Sequence, residues 1–92
     1  MQIIYSPQFA KDYRRLDNLT KEKTEKKEII FRRNPFDNRL KTHKLSGRLR
    51  DLWSFSIDYN YRIIFEIKSE KVIIFHAIGG HSIYKNFLNE NC

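Results

Sequence analysis

The sequence has little cysteine, proline or glycine, and it has no long apolar run. Its one cysteine is Cys92, so these 92 residues can form neither an internal disulfide nor a zinc site built on several thiolates. No segment approaches the roughly 20 apolar residues that span a bilayer, and the N-terminal "MQIIYSPQFA" lacks the charged and apolar regions of a leader. We therefore expect a protein of the reducing cytoplasm with no membrane segment.

Acidic residues are few compared with basic ones. The 18 Lys and Arg outnumber the 11 Asp and Glu, which gives a formal net charge of +7 and a pI of about 9.7. Such an excess favours polyanionic partners, namely nucleic acid, an anionic membrane surface or an acidic protein. A content of 40% hydrophobic and 32% charged residues is typical of a globular chain. At this length we expect residues 1–92 to form a single domain.

The first elements are a strand and an amphipathic helix. The segment "QIIYS" is rich in β-branched and aromatic residues and ends at Pro7, which indicates a strand. Ser6 can cap a helix whose first position is Pro7, because proline has no N–H to leave unpaired there. Phe9, Tyr13 and Leu16 then recur at helical spacing.

A second helix follows, with a highly charged first half. Thr20 is the expected N-cap of "KEKTEKKEIIFRRN", and the helix ends before Pro35 because the residue preceding proline disfavours helical geometry. Only Ile29, Ile30 and Phe31 offer apolar surface, so the C-terminal half is expected to dock on the core. The mixed signs of the charge run are typical of a solvated face.

The remaining sequence predicts a meander of three strands. Residues 34–50 have turn residues and basic side chains without periodicity, which indicates a basic connection. The strand "LWSFSI" alternates, with Ser54 and Ser56 on one face, and "YRIIFEI" and the apolar "VIIFHAI" follow. The segment "HSIYKNFL" predicts a short C-terminal helical turn, with Tyr84, Phe87 and Leu88 available for packing. The expected class is α+β, with an N-terminal strand and two helices on one face of a mainly antiparallel four-stranded sheet.

Two polar residues stand where packing does not require them. Arg62 interrupts a strand on the face shared with the serines, where the ordinary explanation is a surface arginine paired with Glu66. His81 follows Gly79 and Gly80, whose missing side chains let the backbone bend sharply and a ligand approach. The ordinary explanation here is a solvent-facing turn histidine, and the sequence alone leaves both questions open.

Three further side chains also have ordinary explanations. His43 lies between two lysines in "KTHKLSG", where a loop imidazole is usually solvated. Tyr84 has the residue type that packs more often than it catalyses. His76 lies inside an apolar strand, which suits a hydrogen-bonded sheet histidine, and we assign it no role. Taken singly, these residues do not define a function.

Together they form a pattern that resembles a known superfamily. The run "HKLSGRLRDLWSFSIDYNYRIIFEI", followed by "VIIFHAIGGHSIY", is similar to the RelE/ParE toxins of bacterial toxin-antitoxin pairs, on the RelE side and in its YafQ branch. The most telling pieces are "LSG" before the second strand, "YRIIF" in the third, and Gly79-Gly80-His81 after the fourth. The resemblance covers nearly the whole chain and implies the RelE-like layout of a strand, two helices and a three-strand meander.

The resemblance also implies a function and its partners. It implies the toxin of a type II system, an mRNA interferase that cleaves mRNA in the ribosomal A site and so inhibits translation. The implied partners are a cognate acidic antitoxin and the ribosome, with its 16S rRNA and mRNA; the toxin alone is expected to be a monomer. By position, Arg62 matches the strand arginine of the family's active face, and His81 matches the histidine that ends the fourth strand. His43 matches a loop histidine, and Tyr84 lies close to the aromatic residue that completes the site.

This set of residues suits RNA cleavage by the RNA's own 2′-hydroxyl, without metal or cofactor. That reaction needs a base, an acid and positive charge against the phosphorane. Imidazole, with a reference pKa of about 6.5, can serve as either base or acid. Arg62 would hold the phosphate through its planar donor fork, and Tyr84 would stack on a base or help donate a proton. Four cations are expected contacts to the RNA backbone: Lys41, Lys44, Arg48 and Arg50.

The sequence departs from the family in its second strand. RelE has a pair of lysines there and the YafQ branch has a further histidine, whereas this chain has Ser54 and Ser56. A general acid or base is therefore missing from that strand. Two alternatives remain open: a ParE-type gyrase inhibitor that performs no chemistry, and a catalytically degenerate domain that only binds ribosome or antitoxin.

Overall fold

The computed structural model describes residues 1–85. The strands are β1 (Gln2–Tyr5), β2 (His43–Lys44), β3 (Trp53–Ser56), β4 (Arg62–Ser69) and β5 (Val72–Gly79), and the helices are α1 (Pro7–Arg14) and α2 (Asn18–Arg33). Short 3-10 turns cover Asn38–Leu40 and Gly47–Leu49. Residues 82–85 are helical, where the C-terminal turn was expected, while Phe87 and Leu88 lie outside the described residues. Within residues 1–85, no helix has the length and apolar character needed to cross a membrane.

The strands form one mixed sheet in the order β1-β5-β4-β3-β2. β1 runs parallel to β5, and the other neighbours are antiparallel. The α+β class, the N-terminal strand and the meander are confirmed, but the expected count of four strands was wrong. The fifth strand is β2, two residues inside the basic connection, where His43 pairs with Ser54 and Lys44 pairs with Trp53. Two exposed residues are too few to show the alternation by which a strand is recognised.

The first helix begins as the sequence predicts. The Ser6 hydroxyl accepts a hydrogen bond of 3.0 Å from the Phe9 amide, and Pro7 occupies the first helical position. The same hydroxyl donates to the carbonyl of His76, also at 3.0 Å. Ser6 therefore caps α1 and joins the start of that helix to the central strand β5.

The second helix begins earlier than Thr20. Its N-cap is Asp17, whose carboxylate accepts from the Thr20 amide at 2.7 Å; the hydrogen bonds from Thr20 lower the pKa of Asp17. Thr20 and Thr24 are buried, and the Thr24 hydroxyl donates to the Thr20 carbonyl at 2.8 Å. Phe31 is fully buried as expected, but Ile29 is 57% exposed. The prediction that α2 docks on the core through its C-terminal half is therefore confirmed for Phe31, but it is wrong for Ile29, whose side chain faces solvent.

Four phenylalanines form the centre of the core between the helices and the sheet. The ring of Phe31 in α2 lies 4.8 Å from Phe55, 5.0 Å from Phe65 and 5.3 Å from Phe75, measured between centroids. These four side chains are almost completely buried. Burial of one such ring is worth about 1.5–3 kcal/mol. The packing of these rings therefore holds α2 against the sheet.

A second, smaller apolar cluster covers part of the opposite face of the sheet. It joins side chains from the segment 45–52 and from the C-terminal turn to the middle of β4 and β5. The buried members are Leu49, Leu52, Ile64, Ala77 and Ile83, with Leu45 and Tyr84 packed against them. The central strand β5 is therefore covered on both faces, and the cluster holds the C-terminal turn against the sheet.

Candidate functional site

The face of the sheet turned away from α1 and α2, here called the open face, gathers the polar residues of the sequence pattern. His43 lies opposite Ser54 in the ladder between β2 and β3. Arg62 lies opposite Ser56 in β3 and opposite Gly79 in β5. Because residues opposite each other in a ladder point to the same face, the side chains of His43, Ser54 and Arg62 share the open face.

The glycine pair has a packing role that explains how the C-terminal turn reaches this face. A Cβ on Gly79 would lie 2.5 Å from Cγ2 of Ile83, closer than atoms can approach. The absence of a side chain at Gly79 therefore leaves space for Ile83 to pack on the sheet beside Ala77. At Gly80 a Cβ would come only within 3.4 Å of the Asn60 carbonyl, an ordinary contact. Gly79 is thus the glycine that the docking of the turn requires.

The docked turn presents His81 and Tyr84. His81 is exposed at the start of the turn, and its ring centroid lies 6.1 Å from that of Tyr84. The Tyr84 hydroxyl lies 2.8 Å from the hydroxyl of Ser54, which is completely buried. The hydrogen bond between Ser54 and Tyr84 therefore fixes the turn to β3, and His81 is presented beside it.

His43 is held by the backbone that precedes it. Its Nδ1 lies 3.1 Å from the carbonyl oxygen of Lys41, a residue in the left-handed region at φ 53°. A carbonyl can only accept, so Nδ1 carries the proton in this contact. In the neutral ring Nε2 is then left as an acceptor, and because His43 is exposed, Nε2 can take a proton from a ligand.

Arg62 is half-buried and does not pair with Glu66. Glu66 instead lies 2.8 Å from Nε2 of His76 and 3.5 Å from Nζ of Lys68. The hydrogen bond with His76 is the main cause that lowers the pKa of Glu66. As expected, His76 is a hydrogen-bonded sheet histidine. Among residues 1–85, the side chain of Arg62 has no hydrogen bond or ion pair, so its guanidinium is available to a ligand.

The four cations expected at the RNA backbone are all exposed, but they do not share one face. Lys44 lies opposite Trp53, whose ring packs on the helix-side core, so Lys44 points away from the open face. Lys41 lies two residues before β2. Arg48 and Arg50 lie in and just after the 3-10 turn Gly47–Leu49, in the segment that covers the open face. The described residues contain no group of three His, Cys, Asp or Glu side chains able to hold a metal ion.

Ser54 was noted in the sequence as a departure from the family, but it was given no role in the site. Its alternation with apolar neighbours indicated a solvent-facing position, but the structure buries it completely under Tyr84. The two residues lie 30 positions apart, and nothing in the spacing of either segment signals their contact. Only the docking of the C-terminal turn brings them together.

A groove of about 350 Å³ lies between α1, α2 and β1, on the helix side of the molecule. Two tyrosines on its wall bond to acidic residues of α2: Tyr5 donates to Glu28, and Tyr13 donates to Glu25. Burial raises the pKa of both tyrosines. The lining residues are Tyr5, Phe9, Ala10, Tyr13, Arg14, Thr24, Glu25 and Glu28. The groove is mainly apolar with an acidic rim, unlike the basic protein as a whole.

Comparison with known families shows to which family the chain belongs. The model of the YafQ toxin family, described as a bacterial toxin of a type II toxin-antitoxin system, matches residues 1–85. The chain belongs to the YafQ family. Its resemblance to the RelE/ParE superfamily is thereby confirmed. None of the curated proteins compared matches the chain.

Solved structures share the fold of this YafQ family member. Escherichia coli YafQ is 20% identical with a TM-score of 0.72, over 90% of this chain and 96% of that one. A YoeB/ParE toxin from Agrobacterium tumefaciens is 22% identical with a TM-score of 0.75, over 88% of this chain and 99% of that one. YafQ in the Escherichia coli DinJ-YafQ complex is 23% identical with a TM-score of 0.65, over 89% and 94%. At these identities the structures establish the fold.

Proposed function

We propose that this YafQ family toxin is a ribosome-dependent endoribonuclease that cleaves mRNA in the A site and so inhibits translation. The observation that carries the proposal is the arrangement of the open face, where β2, β4 and the C-terminal turn present two imidazoles, a guanidinium and a phenol. They come from His43, Arg62, His81 and Tyr84. A gyrase inhibitor that performs no chemistry has no need of such a set.

The reaction is an attack of a ribose 2′-oxygen on the adjacent phosphorus. A base removes the 2′-hydroxyl proton, the bond from phosphorus to the 5′-oxygen breaks, and an acid protonates the departing oxygen to leave a 2′,3′-cyclic phosphate. His43 can serve as the base, since its Nδ1 contact leaves Nε2 as an acceptor in the neutral ring. His81 and Tyr84 lie on the same turn, and either can act as the acid that protonates the departing 5′-oxygen.

Arg62 supplies the positive charge in this proposal. Charge develops on the non-bridging oxygens of the phosphorane, and a pre-positioned guanidinium stabilises that charge more than it stabilises the ground state. Arg62 is half-buried and has no acidic partner in residues 1–85, so no carboxylate competes with the phosphate for it. Arg48 and Arg50, in the segment that covers the open face, and Lys41, whose carbonyl oxygen contacts His43, would contact the mRNA or 16S rRNA backbone.

The proposed partner that silences the toxin is a cognate antitoxin with an acidic, partly disordered tail. The family is that of type II toxins, and a relative has been solved with DinJ as its partner. A net charge of +7 favours an acidic partner, whose tail would fold as it wraps the helices and the sheet edge. Because Glu25 and Glu28 rim the groove between the helices, that groove suits apolar side chains of the antitoxin rather than its carboxylates. The toxin would then be a cytoplasmic monomer, larger only when bound.

Purified ribosomes programmed with mRNA test the function. Added toxin is expected to cut the mRNA at the A-site codon, and primer extension locates the cut to the nucleotide. The same preparation is assayed for inhibition of gyrase supercoiling. Intact mRNA with inhibited gyrase would replace the proposal by the ParE-type function. Intact mRNA with ribosome binding alone would indicate a degenerate domain.

A further inference from the structure

The contact between Ser54 and Tyr84 has a direction that the burial of Ser54 determines. A serine hydroxyl has one proton to donate, and leaving that proton without an acceptor in a buried site costs free energy. Ser54 is completely buried, and among residues 1–85 Tyr84 Oη is the one partner of its side chain, at 2.8 Å. If Tyr84 donated, the Ser54 proton would have no acceptor. Donation from Ser54 to Tyr84 satisfies both groups.

This direction has a consequence for the phenol. A tyrosine oxygen that accepts from Ser54 keeps its own O–H free to donate elsewhere. Tyr84 is half-buried, on the same turn as the exposed His81, so that O–H can be directed toward a ligand on the open face. A tyrosine bonded in the opposite direction would present only lone pairs there.

We infer that Ser54 is a positioning residue, which donates to Tyr84 Oη, holds the tyrosine over β3 and leaves the phenol proton for the RNA. The inference rests on the proposed endoribonuclease function. It gives a role to the strand position where the chain departs from its relatives, because a buried serine there acts through Tyr84 rather than on the RNA. Ser56, the other serine of the strand, lies opposite Arg62 and is only half-buried.

A double-mutant cycle tests whether Ser54 acts through Tyr84. Single-turnover cleavage on saturating ribosomes is measured for Ser54→Ala, Tyr84→Phe and the double variant, with ribosome affinity measured separately. We expect Ser54→Ala to slow cleavage about 10-fold at unchanged affinity, and Tyr84→Phe to slow it about 100-fold. The double variant should be no slower than Tyr84→Phe. Ser54→Thr, which keeps the hydroxyl, should restore most of the rate, and Ser56→Ala is the matched control expected to cleave at the parental rate.

Labelling of tyrosine Cζ with ¹³C adds a readout that does not depend on cleavage. The protein has five tyrosines, and Ser54→Ala should shift the Cζ resonance of Tyr84 while leaving the other four in place. Additive losses in the cycle, or parental cleavage by Ser54→Ala, would overturn the positioning role. If the parent protein fails to cleave, the proposed function fails, and an unmoved Tyr84 resonance would separately show that Ser54 does not hold the tyrosine.

Discussion

The Glu66 carboxylate lies 2.8 Å from Nε2 of His76, across the irregularity in the ladder between β4 and β5. Glu66 shares the open face with Arg62, and it is the acidic residue that the sequence offered as the partner of that arginine. Glu66 also lies 3.5 Å from Nζ of Lys68, so its partners are His76 and Lys68 rather than Arg62. Among residues 1–85 the guanidinium of Arg62 has no carboxylate partner.

The Glu66 contact predicts how stability depends on pH. The hydrogen bond with His76 lowers the pKa of Glu66 below its usual value of 4.5 in the folded state, so the unfolded state binds the proton more readily. The resulting stabilisation is fully present above that value and is lost as pH falls through the folded pKa. Urea unfolding between pH 7 and pH 3 should show this loss, and Glu66→Gln should reduce it. The exposed Glu70→Gln variant is the matched control; identical pH curves for all three proteins would contradict the assignment.

Gly79 should tolerate no side chain. In Gly79→Ala the new Cβ would meet Cγ2 of the buried Ile83, so the Ile83 side chain, the turn or the strand must shift, at a cost of roughly 1–3 kcal/mol. Cleavage should fall as well, because the turn carries His81 and Tyr84. Gly80→Ala is the matched control, since its Cβ makes only an ordinary contact. Urea midpoints and single-turnover rates measure both effects; equal behaviour of the two variants would show that the turn does not depend on Gly79.

Two lysines of equal charge should differ in their effect on RNA binding. Nζ of Lys23 in α2 lies 3.2 Å from the carboxylate of Asp58 in the turn between β3 and β4, an exposed ion pair. Lys23→Gln should therefore change stability by no more than about 0.5 kcal/mol and leave ribosome binding intact. Lys41→Gln should weaken ribosome binding and reduce the salt slope of the affinity by about 1, since Lys41 lies beside His43. Filter binding at several salt concentrations compares them. A larger loss for Lys23→Gln would show that the charged face of α2 contacts the rRNA.

The helices and strands that the sequence predicted are those in which the spacing of apolar residues repeats over enough positions to be recognised. The alternation in β3 and the helical spacing of Phe9 and Tyr13 come from local burial, which a pattern of apolar residues reports directly. β2 was not predicted from the sequence, because two exposed residues at a sheet edge are too few to show an alternating pattern. The start of α2 was misplaced because Asp17 and Thr20 are both good caps, and only the geometry of the Thr20 amide distinguishes them.

The candidate site could be proposed from residue types, but its contacts could not be predicted. Arg62 was singled out because it interrupts a strand, and His81 because it follows the Gly79-Gly80 pair. The partner of Glu66 and the buried state of Ser54 depend on long-range pairing, across 10 and 30 positions respectively. The packing role of Gly79 likewise depends on Ile83 folding back on the sheet. Such contacts are set by the tertiary arrangement, which a local pattern does not report.

Single-turnover cleavage of mRNA on programmed ribosomes by His81→Gln tests the central claim most directly. Glutamine keeps approximate size and hydrogen bonding but cannot titrate, so we expect a rate lower by about 100-fold or more. Arg62→Ala should lose a similar factor for lack of charge stabilisation, while His76→Gln, the control histidine, should cleave at nearly the parental rate. Circular dichroism confirms folding and a binding assay confirms ribosome affinity. A folded His81→Gln protein that cleaves at the parental rate would contradict the assignment of the open face as the active site.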